Sequence, residues 1–218
     1  RRLKMNKYIE HTLLKPTATN EALAKLYEEA KEHNFRGVCV NPINVKKAAE
    51  ALKGTDVKVV TVVGFPLGAM VSDAKAFEAK RAIEDGADEV DMVLNIQAVK
   101  NAEWDTVTAD IRTVKEACGK TVLKVIIETD YLTKEEIVEA CKCAIAAKAD
   151  FVKTSTGFVN GGVGAKAEDV KLMYETVKDA GLRVKASGGI RDRKAAEAMV
   201  EAGASSLGTS SGIKIVEG

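Results

Sequence analysis

Histidine and cysteine are too few and too scattered in this chain to form the usual metal or disulfide sites. Its 218 residues include two histidines, three prolines, one tryptophan and four cysteines. His11 and His33 share no metal-ligand spacing, and the cysteines fall inside predicted strands and helices. The cysteines are Cys39, Cys118, Cys141 and Cys143. We therefore expect no metal site, no disulfide framework and a reducing, cytoplasmic setting.

The chain also lacks a charge excess of either sign. Its 33 lysines and arginines stand against 32 acidic residues, a balance that does not favour nucleic-acid binding. No apolar run approaches the roughly 20 residues of a membrane-spanning helix, and no signal peptide is visible. With 46% hydrophobic residues, a chain of this length suits one domain with a large core. We expect that domain to cover residues 5–218, with residues 1–4 as an extension before it.

Eight strand-like segments alternate with helix-like segments. The predicted strands cover residues 9–14, 37–40, 57–63, 89–94, 122–128, 151–154, 184–187 and 207–209. The predicted helices cover residues 20–33, 45–53, 73–85, 104–118, 134–148, 167–180 and 194–202. This alternation implies parallel strands with right-handed crossovers, and eight such units predict an α/β fold, a single-domain (β/α)₈ TIM barrel. A doubly wound open sheet is the alternative, disfavoured because no Gly-x-Gly-x-x-Gly follows the first strand.

Charged residues share one face of several predicted strands. Side chains alternate along a strand, so each strand can be sorted into two faces. One face is apolar and suits a layer of helices; the other should face the barrel interior. The interior set is Cys39, Asp91, Lys124, Glu128, Lys153 and Lys185. Lys58 has the same parity as the interior residues of its strand, but it lies near the strand's entry end and should reach solvent.

Two of these lysines, Lys153 and Lys185, run directly into loops of small residues. Burial and a neighbouring cation both lower the pKa of a lysine, and a neutral lysine amine attacks carbonyls to form a Schiff base. The protonated imine then withdraws electrons without a metal, so we expect no cofactor. The alternative is that the interior lysines form structural ion pairs with Asp91 and Glu128, or reach solvent from the strand ends.

Glycine and hydroxyl residues follow the last three strands. Phosphate commonly binds after strands seven and eight of a barrel, where backbone amides and a helix dipole converge. The candidate phosphate-binding residues are Gly157, Gly188, Gly189, Gly208, Ser210 and Ser211. Tight packing is the alternative explanation for any one of these loops.

Several motifs together resemble the deoxyribose-phosphate aldolase family. They are His11-Thr12-Leu13-Leu14-Lys15-Pro16, Val38-Cys39-Val40-Asn41-Pro42, Gly64-Phe65-Pro66-Leu67-Gly68, Glu89-Val90-Asp91-Met92-Val93, Val152-Lys153-Thr154-Ser155-Thr156-Gly157 and Lys185-Ala186-Ser187-Gly188-Gly189-Ile190-Arg191. The resemblance implies a Schiff-base aldolase that reversibly cleaves 2-deoxy-D-ribose 5-phosphate to acetaldehyde and D-glyceraldehyde 3-phosphate. It further implies that Lys153 forms the Schiff base, that Asp91 and Lys185 exchange protons, and that the glycine and serine loops hold phosphate. Lys124 is either a further network member or a partner of Asp91 or Glu128.

Other activities fit the same residues. One alternative is a different Schiff-base aldolase or transaldolase; another is a barrel isomerase or synthase that binds phosphate without covalent catalysis. A non-catalytic sugar-phosphate binding protein is the third.

The sequence departs from the family at Glu10, where aspartate is usual, and the longer side chain is expected to displace a carboxylate near the pocket mouth. The partner we expect is a small phosphosugar, with no nucleic acid or membrane, and the family suggests a homodimer.

Overall fold

The computed structural model describes residues 3–218, and its eight parallel strands close into a barrel in sequence order. Residues 1–2 of the expected extension lie outside the described part of the chain. The strands are β1 Ile9–Leu13, β2 Gly37–Val40, β3 Lys58–Val63, β4 Glu89–Val93, β5 Val122–Ile126, β6 Phe151–Lys153, β7 Arg183–Ser187 and β8 Ser206–Thr209. The predicted (β/α)₈ TIM barrel is therefore confirmed.

Helices follow the strands and cover the outside of the barrel. They are α1 Asn20–Glu32, α2 Val45–Ala51, α3 Ser72–Glu84, α4 Ile96–Lys100, α5 Trp104–Cys118, α6 Lys134–Ala146, α7 Ala167–Val177, α8 Arg193–Glu201 and α9 Gly212–Glu217. Local chemistry fixes several of their starts. At α6, the Thr133 hydroxyl accepts from the Glu136 amide while the Glu136 carboxylate accepts from the Thr133 amide, which is a capping box.

The sequence prediction erred mainly at strand ends and short helices. The fifth strand was expected to reach residue 128 but ends at Ile126, because Glu128 adopts a left-handed conformation and a 3₁₀ helix, Thr129–Tyr131, begins there. Helices α4 and α9 were not predicted, since five or six residues carry too little periodic pattern to be distinguished from a loop. Lys58 begins β3 and is exposed, as expected.

The two faces of the barrel wall differ as the alternation predicted. Outward residues of the strands join the large apolar core beneath the helices, with Val90, Val125 and Val152 completely buried. Inside the barrel a small separate apolar cluster is formed by Leu14, Cys39, Val60 and Val62. Four charged side chains, Glu10, Asp91, Lys124 and Lys185, are also completely buried inside the barrel. Within residues 3–218, no helix is long and apolar enough to cross a membrane.

Candidate active site

A cleft of about 420 Å³ opens where the strands end, at their carboxyl termini. Loops after β1, β6, β7 and β8 form its walls. Lys153, the last residue of β6, contributes to its lining although the residue is only 3% exposed. Active sites of TIM barrels lie at this end. The cleft therefore has one nearly buried amine at its base.

Lys153 lies beside Lys185 because the two residues are paired across β6 and β7. Both ammonium groups bond the same carboxylate oxygen, Asp91 Oδ2, at 3.0 Å for Lys153 and 2.7 Å for Lys185. Asp91 and Lys185 are completely buried, below the residues that line the cleft. The structure thus brings together the three residues for which the sequence predicted the central chemistry.

A second set of ionic contacts lies beneath this group. Lys124, paired with Asp91 across β4 and β5, bonds Asp91 Oδ1 at 3.1 Å and Glu10 Oε1 at 3.3 Å. Glu10 also accepts from Lys185. The carboxylates of Glu10 and Asp91 therefore lie between Lys124 on one side and Lys185 on the other. Lys124 therefore pairs with Asp91, one of the two partners named in the alternative, and not with Glu128.

Two further residues complete the interior network at the opposite end of the barrel. Arg36 Nη1 bonds Glu10 Oε2 at 2.9 Å, and its guanidinium bonds both oxygens of Glu89 at 2.8 and 2.9 Å. Glu89 Oε1 also lies 2.6 Å from Lys124 Nζ. An interior charge is costly unless it is paired, and this continuous arrangement gives Glu10, Glu89 and Asp91 at least two cationic partners each.

The residues joined by these ion pairs include one more cation than carboxylates. The network consists of the carboxylates Glu10, Glu89 and Asp91 and the cations Arg36, Lys124, Lys153 and Lys185. Lys153 has only Asp91 as a carboxylate partner, and it shares that oxygen with Lys185. The network is electrically balanced when Lys153 is a neutral amine. Because the other two lysines and Arg36 each have at least two carboxylate partners, Lys153 is the cation of the network that releases its proton most readily.

The pKa directions agree with this balance. Burial, reinforced by the positive charge of Lys185, lowers the pKa of Lys153 despite the opposing effect of Asp91. Burial also acts to lower the pKa of Lys185, but Asp91 and Glu10 overcome it and raise that pKa above the ordinary value. Burial opposes ionisation of Asp91, yet the three lysines around it hold its pKa well below the usual range. The pKa shifts of the two lysines are therefore opposite in sign: Lys153 is a potential nucleophile, whereas Lys185 stays an ammonium.

All six predicted phosphate-binding residues line the cleft. Gly157 follows β6, Gly188 and Gly189 follow β7, and Gly208, Ser210 and Ser211 lie at and after the end of β8. Gly208 also leaves room for the Lys185 side chain, because a Cβ at this position would lie only 3.0 Å from Lys185 Cε. The loops are close enough to form one surface, while α9 begins directly after Ser211.

Hydroxyl groups fix the ends of β6 and β7 relative to each other. Thr154 Oγ1 donates to the Ser187 carbonyl at 3.0 Å and accepts from the Ser187 amide at 3.0 Å. Ser187 Oγ donates to the Ser155 carbonyl at 2.7 Å. These bonds hold the two lysine-bearing strands in register at the base of the cleft. The sequence showed hydroxyl residues after both strands but not this reciprocal bonding.

The structure corrects the expected position of Glu10. The sequence suggested a carboxylate near the pocket mouth, but Glu10 is completely buried inside the barrel, bonded to Lys185, Lys124 and Arg36. Glu10 is the second residue of β1 and is paired with Gly37, the first residue of β2, so it lies near the amino-terminal ends of the strands, away from the cleft. Its extra methylene is accommodated among long cationic side chains rather than at an opening.

Glu128 also differs from expectation. It is buried, but its carboxylate accepts from the Thr156 amide at 3.0 Å and is 2.6 Å from the Thr156 hydroxyl, rather than pairing with a lysine. Burial raises its pKa.

Arg36 and Glu89 were not predicted as interior residues. Glu89 has the same strand parity as Asp91, and this parity could have predicted that Glu89 faces the interior. Arg36 precedes β2, where strand alternation does not predict which way a side chain points.

The four cysteines are all free and buried. Burial raises the pKa of the Cys39 thiol, which belongs to the apolar cluster beside the cleft. Within residues 3–218, no three histidine, cysteine or acidic side chains converge in an arrangement that would hold a metal ion.

Comparisons with known proteins agree with this geometry. A family model described as DeoC/LacD family aldolase matches residues 5–218. A protein named deoxyribose-phosphate aldolase from Brevibacillus brevis is 58% identical over 216 residues, covering 99% of this chain and 96% of that protein. One of the same name from a Geobacillus species is 59% identical over 213 residues, covering 97% of this chain and 94% of that protein. A solved structure titled as a tetrameric deoxyribose phosphate aldolase from Aeropyrum pernix superposes with a TM-score of 0.87 at 34% identity, covering 98% of this chain and 89% of that one. This chain, with its buried lysine pair at the base of a barrel cleft, belongs to the DeoC/LacD family of aldolases.

Proposed function

We propose that the protein is a Schiff-base aldolase that reversibly cleaves 2-deoxy-D-ribose 5-phosphate to acetaldehyde and D-glyceraldehyde 3-phosphate. The proposal is carried by the position of Lys153. It is the surplus cation of the buried ion-pair network, and it is the residue of that network that lines the cleft. Relatives that bear the name of this activity match nearly the whole chain. The activity is assigned to one domain, residues 5–218, with residues 1–4 outside it.

The first step requires an uncharged amine. The Lys153 nitrogen attacks C1 of the open-chain aldehyde, and the resulting carbinolamine takes up a proton on its hydroxyl and loses water to give a protonated imine. Lys185 favours the reactive form because its positive charge destabilises an ammonium on Lys153. Asp91 holds Lys185 in place through the 2.7 Å bond and keeps that neighbouring charge fixed.

Cleavage uses the imine as an electron acceptor. The C3 hydroxyl loses its proton, the C2–C3 bond breaks, and its electron pair forms the enamine between C2 and C1. C3 leaves as the aldehyde carbon of glyceraldehyde 3-phosphate. Protonation of C2 and hydrolysis of the imine then release acetaldehyde and restore Lys153. We assign the proton exchange to Asp91 and Lys185 acting through a water in the cleft, since both side chains lie below its lining, with Lys124 as their ionic support.

The phosphate end of the substrate is assigned to the loops after β6, β7 and β8. The residues proposed to bind it are Gly157, Gly188, Gly189, Gly208, Ser210 and Ser211, through amides and hydroxyls. The same cleft contains Lys153, so one phosphosugar spans the two parts of the site. The cleft's apolar neighbour, the cluster around Val60 and Val62, is suited to the small acetaldehyde portion.

Reductive trapping tests the proposal. Acetaldehyde with cyanoborohydride should add one ethyl group to the peptide that contains Lys153, and Lys153→Ala should abolish both this labelling and cleavage of deoxyribose 5-phosphate. Lys15→Ala is the matched control, since Lys15 also lines the cleft but is exposed. A non-covalent isomerase or a binding protein would give no labelling at Lys153. Labelling without acetaldehyde-dependent aldol addition to glyceraldehyde 3-phosphate would indicate a different Schiff-base aldolase or transaldolase.

We further propose a cytoplasmic homodimer. Four free, buried cysteines support a reducing setting. Support for assembly comes from large apolar side chains that remain exposed around α2 and α3: Ile43 is 88% exposed, and Val71 and Phe77 are 73% exposed. Exposed apolar groups clustered on one face are typical of protein contacts.

A further inference from the structure

Two charged residues at the closed end of the barrel have no part in the reaction steps above. Arg36 lies just before β2, and Glu89 is the first residue of β4. Their side chains form a two-bond ion pair at 2.8 and 2.9 Å, with the arginine side chain 14% exposed and the glutamate side chain 5% exposed. Neither residue lines the cleft. A direct contact between this pair and a substrate in the cleft is therefore excluded.

The pair is nevertheless continuous with the reactive amine through ionic contacts. Glu89 lies 2.6 Å from Lys124, and Lys124 bonds Asp91 at 3.1 Å. Asp91 in turn bonds Lys153 at 3.0 Å. A second route runs from Arg36 through Glu10 to Lys185. These contacts lie in the barrel interior, where charges are weakly screened and act over longer distances than at a surface.

We propose that Arg36 and Glu89 are positioning residues that set the protonation state of Lys153 through the charge balance of the barrel interior. This inference rests on the proposed function, because it assumes that Lys153 reacts as a neutral amine. With both residues present, the ion-paired network has one surplus cation, and Lys153 is the cation with the fewest carboxylate partners. Without Arg36 the network has as many lysines as carboxylates, so its charges balance when Lys153 is protonated. Removing Glu89 enlarges the surplus, so Lys153 is driven further toward the neutral amine.

Other titratable or charged groups also face Lys153 or this pair, and they are unchanged in the variants below. They are Glu10 on β1, Cys39 on β2, Asp91 on β4, Lys124 on β5, Glu128 after β5, and Lys185 and Arg183 on β7. Arg36, Lys124 and Arg183 all lie over the ring of Phe151, which is completely buried. Since the same groups remain in every variant, a shift between variants reports the charge that was removed.

The experiment measures the rate of acetaldehyde trapping at Lys153 as a function of pH. Arg36→Met should move the midpoint of this profile to higher pH, and Glu89→Gln should move it to lower pH. Each shift should be about one pH unit, the effect of one unit charge across roughly 10–15 Å at an effective dielectric constant of about 20. The double variant Arg36→Met/Glu89→Gln restores the balance, and its midpoint should return close to that of the unaltered protein.

Opposite signs distinguish this role from a structural one. A pair that merely holds the barrel closed would lower stability in both variants and leave the midpoint unchanged or moved in one direction. Arg36→Lys keeps the charge and should keep the midpoint. The pair Arg193 and Glu197 on α8, 2.7 Å apart and outside the barrel wall, is the matched control: Arg193→Met and Glu197→Gln should have no effect on the midpoint.

The outcomes separate this inference from the proposed function. Absence of trapping at Lys153 in the unaltered protein, at every pH, would overturn the proposed function. Normal trapping with the same midpoint in Glu89→Gln and in the double variant as in the unaltered protein would overturn only the role of Arg36 and Glu89. If Arg36→Met fails to fold, a downward shift in Glu89→Gln that is reversed in the double variant supports the proposal.

Discussion

At the scale of single residues, the chemistry of Lys153 depends on which charges its neighbours keep. Lys185 and Lys153 have the same side chain, are both buried and share one oxygen of Asp91, yet their pKa values move in opposite directions. The difference is that Lys185 has a second carboxylate, Glu10, and Lys153 has none. The sequence predicted the lysine pair and Asp91 from strand parity. It could not predict the assignment of Glu10, because parity does not say how deep in the barrel a side chain ends.

Lys185→Leu should therefore slow imine formation by converting Lys153 into an ordinary ion-paired lysine. Without the neighbouring ammonium, Asp91 pairs with Lys153 alone, and the pKa of Lys153 rises. We expect trapping by acetaldehyde at neutral pH to fall by about tenfold or more, with the midpoint of its pH profile displaced upward by at least about one unit. Lys185→Arg, which keeps the charge, serves as the control. An unchanged profile in Lys185→Leu would show that the two lysines are not coupled.

At the scale of elements, the strands followed from sequence far better than the loops that build the cleft. Alternating parity and the strand–helix repeat are local patterns, and they were sufficient for eight strands and for the direction of Lys153 and Lys185. The loop after β6 has no such pattern. Its path is fixed by long-range bonds: Asp130 accepts from the Val163 and Gly164 amides at 3.1 and 2.9 Å, and the Ala165 amide donates to the Gly188 carbonyl at 3.0 Å.

Gly164→Ala should consequently weaken phosphate binding without affecting the lysine chemistry. A Cβ at Gly164, where φ is +80°, would lie 2.4 Å from the Gly188 carbonyl oxygen and push apart two loops of the proposed phosphate site. We expect KM for deoxyribose 5-phosphate to rise about tenfold, while acetaldehyde trapping at Lys153 stays unchanged. Gly161→Ala separates contact from backbone strain, since φ is +69° there but no atom lies within 4 Å of the added Cβ. An equal effect of both substitutions would assign the loss to strain instead.

At the scale of the whole molecule, the barrel combines an apolar outer shell with a charged interior. Closure of the barrel pairs β1 with β8, which is itself paired with β7, and across the interior Glu10 on β1 reaches Lys185 on β7 although most of the chain separates them. A network of this kind contributes little net stability when intact, yet removing one partner from it is costly. The interior charges therefore make the fold sensitive to their protonation.

This sensitivity predicts how the free energy of unfolding depends on acid. Burial opposes ionisation of Glu10, but Lys124 and Lys185 lower its pKa to about 2 in the folded protein, below the ordinary value of 4.5. Because the folded pKa is the lower one, this carboxylate contributes stability above about pH 4.5 and loses it as the pH falls toward 2, in total about 3 kcal/mol. Glu10→Gln should be less stable at pH 7 by about 3–5 kcal/mol, and its unfolding free energy should fall less steeply between pH 4.5 and 2. Urea unfolding at a series of pH values measures both effects. Glu139→Gln, at an exposed ion pair with Lys142, should leave the slope unchanged, and an equal slope in Glu10→Gln would mean that Glu10 is not held as a buried carboxylate.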